Sequence, residues 1–168
     1  MQSTIRDTFD IGADAFWRDV FFRRAFVERM YKEALACESI EILAEQGDVA
    51  TGLTRRLRFT QKIDAPGPVR KLFGETTTME EDGKFDAPSG RFSYRMVPDK
   101  MADKITISGT TWLEPAGDHK VVRVSELDFG VRIFGVGTLV EKFMAKQTVE
   151  SMERQARFTR AYIAELSR

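Results

Sequence analysis

The sequence predicts an α+β domain in which a curved antiparallel sheet grips a long C-terminal helix around an apolar pocket. Three observations lead there. The chain opens on an alternating segment, 4–11. Its middle is a succession of alternating segments cut by turn residues, and its last segment changes to apolar spacings of three and four that run to the end. A chain of 168 residues lies in the range of a single domain spanning 1–168, long enough to bury roughly two thirds of its unfolded surface.

In segment 4–11, Ile5, Asp7, Phe9 and Ile11 share one side, the period of a half-buried strand. Gly12-Ala13-Asp14 breaks the alternation, and Phe16, Trp17, Val20 and Phe21 then follow at helical spacing. A second short helix is expected from Arg24 to about Ala36, carried by Phe26, Val27, Met30, Tyr31, Ala34 and Leu35. From Glu38 the chain reads as strands, with turn signals at Gln46-Gly47-Asp48, Asp82-Gly83, Pro98-Asp99 and Pro115-Ala116-Gly117-Asp118. Strands are expected over 51–63, 75–81, 89–97, 104–114 and 120–133, giving a sheet of about seven in all. Ala65-Pro66-Gly67-Pro68 interrupts the sheet, and Val69 to Gly74 forms one helical turn, here named the rim loop. The last helix carries Val136, Leu139, Val140, Phe143, Met144, Met152, Ala156, Thr159, Ile163 and Leu166 on one stripe. At Gln147 and Thr148 the stripe turns polar, which suits a cavity better than a dry core.

Lysine plus arginine number 26 and aspartate plus glutamate number 26, so no overall field draws the chain onto nucleic acid, and no nucleic-acid partner is expected. Cys37 is the only cysteine; it forms no internal disulfide and nucleates no thiolate metal site, which fits a reducing compartment. The first residues carry charge where a signal peptide needs an apolar core, and no apolar run approaches the ~20 residues of a membrane span. A cytoplasmic protein, monomeric or weakly dimeric, with neither metal nor cofactor, is the expectation.

No residue cluster announces catalysis. His119, the only histidine, falls in a hairpin loop far in pattern from any nucleophile or ligand set, and reads as surface. Cys37 reads as a buried spacer, without a basic neighbour to activate it. The glycines of Phe134-Gly135-Val136-Gly137-Thr138 match neither a Walker loop nor a dinucleotide fingerprint and read as a tight passage into the last helix. Glu80-Glu81 and Glu126/Asp128 read as solvated or salt-bridged. Arg55 stands apart, because it falls on the Leu53/Leu57/Phe59 face. Either it pairs with an inward carboxylate, Glu126 being a candidate, or it hydrogen-bonds a ligand headgroup. In the rim loop, Arg70 and Lys71 beside Leu72 and Phe73 suit either a lid over the core or a transient contact with a membrane surface.

The order of strand, two short helices, antiparallel strands and long terminal helix resembles the START-like, or SRPBCC, superfamily with its Bet v 1-like helix-grip fold. Thr4–Ile11 followed by Asp14-Ala15-Phe16-Trp17 is similar to that superfamily's opening. The stretch Ile105 to Pro115, then Phe129-Gly130-Val131 and Gly135, resembles an uncharacterised bacterial branch related to sterol-binding VASt domains. The resemblance implies a cavity between the concave sheet and the last helix. It places Phe59, Phe73, Phe92, Met96, Ile107, Trp112, Phe129, Val136, Leu139, Val140, Phe143 and Met144 on its lining, with Arg55 at a polar point. It further implies binding or carrying of a hydrophobic small molecule, such as a sterol or acyl lipid. The alternatives are an enzyme like the polyketide aromatases and cyclases, for which Arg55, Tyr94 and Gln147 are the polar candidates, and a ligand-regulated interaction module.

Overall fold

A computed structural model describes residues 1–168. Seven strands form one antiparallel sheet: β1 (Gln2–Phe9), β2 (Ser39–Asp48), β3 (Gly52–Lys62), β4 (Thr76–Asp86), β5 (Arg91–Pro98), β6 (Ile105–Pro115) and β7 (Val121–Val131). Their order is β1-β7-β6-β5-β4-β3-β2, so β2 to β7 are a simple meander and β1 adds to its far edge. The sheet curves around α4 (Gly137–Leu166), the helix-grip arrangement that the element order predicts. The concave face holds the apolar members of each strand. On β3 these are Leu53, Leu57 and Phe59, and Arg55 shares their face and their burial.

Two short helices follow β1. The first, α1, covers residues 13–21 and the second, α2, residues 24–34; each begins as α-helix and widens into a π-helical turn. The Phe22 N–H donates to the Trp17 carbonyl at 3.0 Å, and the Leu35 N–H donates to that of Met30 at 3.1 Å, both five residues back. The extra residue shifts the phase of the turn, so Phe22 joins Phe16, Trp17 and Val20 in the core. Together with Phe26, Val27, Phe85, Phe92 and the end of α4 they form the larger apolar cluster. A smaller cluster at the other end gathers Val69 and Phe73 of α3 (Gly67–Phe73), Ile105, Ile107, Leu127, Phe129 and Val140.

Strand boundaries depart from expectation in three places. Gln46-Gly47-Asp48 lies within β2, and the chain reverses over 49–51. β1 ends at Phe9, leaving Ile11 outside it. Asp82-Gly83 is no turn: β4 continues to Asp86, and the chain reverses in the following residues. Gly83 is needed for close approach instead, because a Cβ built there would lie 2.2 Å from Phe92 Cζ. Gly109 on β6 does the same for Tyr94, whose ring carbon Cζ would lie 2.4 Å away. Gly83, Tyr94 and Gly109 pair in register across β4, β5 and β6, and Arg55 pairs with Gly83 from β3. The sheet thus carries a row with two missing side chains, over which aromatic rings of β5 lie flat.

Candidate ligand cavity

Between the concave sheet, α1 and α2, α3 and the middle of α4 lies a cavity of about 230 Å³. Of the expected lining residues, Arg55, Phe59, Phe73, Phe92, Met96, Ile107, Phe129, Phe143 and Met144 border it. Gln147, Thr148 and Ser151 of α4 also face it, which explains the polar break in the helix stripe. Four expected lining residues lie elsewhere. Trp112 is on the convex face, where the Arg91 guanidinium stands 4.1 Å from its ring centroid. It is five residues from Ile107, and residues an odd number apart on a regular strand point to opposite faces, so the two do not share the lining. Leu139 is 36% exposed at the start of α4. Val140, fully buried, and Val136 pack in the smaller apolar cluster instead of facing the open space.

The charge bordering the cavity is held in two ion pairs. Arg55, 5% exposed, sits 3.6 Å from Glu81 (Nη2 to Oε1), which is equally buried. Glu126, the partner expected from sequence, is exposed and pairs in register with Thr4 and Thr110 on the opposite side of the sheet. Glu81 takes its place because it lies opposite Leu57, diagonal to Arg55 on adjacent strands. Its neighbour Glu80 points outward to Arg58 at 2.7 Å. The Arg55 guanidinium also stands 5.5, 5.2 and 5.6 Å from the ring centroids of Phe21, Phe22 and Phe92, and its Nη1 donates to the Phe21 carbonyl at 3.4 Å. Arg123, 3% exposed, donates from Nη2 to Asp7 Oδ2 at 2.8 Å and covers the Phe9 ring. Between the pairs, Thr111 and Ser125 share a hydrogen bond at 3.3 Å.

This burial governs the protonation of the site. Loss of water pushes the Glu81 carboxyl above its ordinary range, an effect that the Arg55 charge opposes. Burial lowers Arg123 against the pull of its hydrogen bond to Asp7. The Tyr31 and Tyr94 hydroxyls are driven upward by burial first and by the Glu81 charge second, so both stay protonated. Burial also raises the Cys37 thiol to about 11, in keeping with a spacer. No group of histidine, cysteine and acidic side chains is placed to hold a metal ion, and no helix is long and apolar enough to cross a membrane.

A family model described as a protein of unknown function, DUF2505, matches residues 4–163. The chain belongs to the DUF2505 family. No curated protein matches it. Among solved structures, the Zhui aromatase/cyclase from Streptomyces sp. R1128 superposes with a TM-score of 0.65 at 16% identity, covering 93% of this chain and 91% of that one. A START superfamily protein from Mycobacterium smegmatis gives 0.62 at 15% identity, with 98% of each chain covered. The major latex-like protein 151 of Panax ginseng gives 0.56 at 10% identity, over 95% of this chain and 98% of that one. At these identities the likeness establishes the START-like fold of this DUF2505 member.

Arg123, Tyr31, Thr111 and Ser125 border the cavity without having been singled out from the sequence, and Glu81, read there as solvated or salt-bridged, borders it as a buried ion-pair partner. Glu81 carried a readable signal: it alternates with Thr77, Met79 and Phe85, all on the concave face. The apparent turn at Asp82-Gly83 hid it. Arg123 could have been found the same way, since it alternates with Val121, Ser125, Leu127 and Phe129.

Proposed function

We propose that this protein binds a compact, mainly apolar small molecule in the cavity between sheet and helix. The observation that carries this reading is an apolar chamber bordered by buried side chains with polar atoms that make no hydrogen bond: Arg55 Nε, Glu81 Oε1 and Arg123 Nε. A merely structural core pairs such groups or omits them. Size narrows the occupant. A dry cavity of ~150 Å³ holds benzene, and drug-sized ligands take roughly 300–1,000 Å³. At about 230 Å³ the chamber suits a body of two fused rings, whereas a sterol or long acyl chain requires it to open. Native mass spectrometry of gently purified protein, followed by titration with naphthalene, tests the reading. A copurified small molecule or saturable one-to-one uptake is expected; absence of both sinks it.

A second reading, an enzyme acting on a polyketide-like substrate, draws support from the Glu81 carboxyl and the Tyr94 hydroxyl, both shifted in pKa and both bordering the cavity. Chemical conversion of a copurified ligand during incubation would favour it. We place the protein in the cytoplasm, where its single buried cysteine stays reduced.

We further propose that the cavity mouth touches an anionic bilayer, with Phe134 as its anchor. Phe134 is fully exposed in the turn before α4. Neighbouring Ile133 and Val136 pack in the same cluster as the rim helix, where Arg70 and Lys71 are exposed. Leu72 is only half exposed and Phe73 is buried, so the rim loop supplies charge and the β7–α4 turn supplies the apolar contact.

A further inference from the structure

Every charged side chain bordering the cavity belongs to one of its two ion pairs: Arg55 with Glu81, and Arg123 with Asp7 behind it. The chamber is therefore electrically neutral while remaining rich in directed hydrogen-bonding atoms. Each arginine spends part of its fork on its carboxylate and leaves its Nε–H without an acceptor. Glu81 Oε1, the oxygen 3.6 Å from Arg55 Nη2, accepts no hydrogen bond. All three side chains are more than nine-tenths buried, so bulk water does not satisfy these atoms. Arg55 Nη2 makes no hydrogen bond either, so the vacant set holds donors from both arginines and the Glu81 carboxylate as acceptor, on a neutral background.

Resting on the cavity-binding reading above, we propose that this end of the cavity selects neutral, oxygen-bearing aromatic ligands and rejects carboxylates. A phenolic or enolic hydroxyl matches the set, because it donates to Glu81 Oε1 while its oxygen accepts from an arginine Nε–H. A ring carbonyl can accept from the other. A purely hydrocarbon ligand leaves these atoms unpaired. A carboxylate offers only acceptors, faces the Glu81 oxygen with like charge, and brings an uncompensated charge into a site whose cations are already neutralised. The partly exposed Tyr94 ring, stacked on the buried Phe92 with centroids 5.8 Å apart, provides the platform on which a planar ligand would lie.

The test uses three probes of one size: naphthalene, 2-naphthol and 2-naphthoate, titrated calorimetrically into the full chain at pH 7. Because hydrogen bonds to charged groups are worth roughly 1.5–3 kcal/mol, 2-naphthol should bind about 10- to 100-fold more tightly than naphthalene. 2-Naphthoate should bind more weakly than 2-naphthol by at least about tenfold. Removing one partner alone strands a buried charge, so the decisive variant is Arg55→Met/Glu81→Leu, which replaces the pair by apolar groups. It should keep naphthalene affinity within about threefold and lose most of the 2-naphthol advantage. Equal affinity of the wild type for 2-naphthol and naphthalene, as when ordered water alone fills the polar end, overturns the proposal. So does 2-naphthoate binding as well as 2-naphthol, or a double variant that keeps the preference. If none of the three probes binds, the cavity-binding reading falls with it; if naphthalene binds and the preference is missing, only the polar selection falls.

Discussion

Gly83→Ala measures how tightly the floor of the cavity is packed. The new Cβ would lie 2.2 Å from Phe92 Cζ and 2.5 Å from its Cε2. Carbon atoms rest at about 3.5–4.0 Å, so the ring must retreat by more than an ångström. It has little room to do so. Phe92 is 1% exposed, with the rings of Phe21, Phe22 and Tyr94 at 5.2, 5.5 and 5.8 Å. Overpacking of this kind costs roughly 1–3 kcal/mol, and the entropy gained by replacing a strand glycine returns about 0.5–1. The net loss is then up to about 2.5 kcal/mol, and the enclosed ring puts it toward the upper end, which for a chain of this length lowers Tm by up to about 10 °C. Gly12→Ala serves as control, since nothing lies within 4 Å of its Cβ and Tm should hardly move. Phe92→Leu should absorb much of the penalty, giving a coupling between the two positions in a double-mutant cycle. A Gly83→Ala protein that melts at or above the wild type would show that the ring is free to move, and the packing argument would fail.

Glu81→Gln tests the buried pair through pH. Burial raises the folded-state pKa of Glu81 above about 4.5, so between that value and the folded one the native chain keeps a proton that the unfolded chain has released. This contribution is favourable at low pH and is lost as pH rises through the folded value; glutamine, which does not titrate, lacks the loss. In urea unfolding from pH 4 to 8, the stability of Glu81→Gln relative to wild type should therefore rise, and a flat or falling difference would contradict the assignment. For the membrane contact, wild type should float with phosphatidylserine vesicles at low salt and less at high salt, while Phe134→Ser and Arg70→Glu/Lys71→Glu should each float less. Equal flotation of Phe134→Ser at low salt would remove Phe134 from the interface.

Most of the architecture was legible because alternation and helical spacing are local signals, and α4 and β3 show them over many residues. Arg55 was legible for the same reason: a charge on the Leu53/Leu57/Phe59 face stands out. Its partner was not, because pairing across strands depends on register, and register was misread where Asp82-Gly83 imitates a turn. Glycine marks a chain reversal and a close aromatic contact with the same letter. Trp112 shows the complementary difficulty, since size and apolarity suggested lining while its parity along β6 sends it outward. The π-helical turns in α1 and α2 left no sequence mark, because one added residue per turn preserves the apolar content of the segment and changes only its phase.

The strand order has a consequence for how the chain folds. β1 pairs only with β7, and the Asp7–Arg123 hydrogen bond closes a separation of 116 residues, whereas every other strand pairing joins neighbours in sequence. β1 must wait for β7 before its apolar side finds cover. Loop closure over such a span is an entropic cost that hairpins formed earlier do not repay, so the docking of β1 is the step expected to come last. Until that step is complete, Arg123 lacks its carboxylate, and the neutral interior that would receive a ligand does not yet exist.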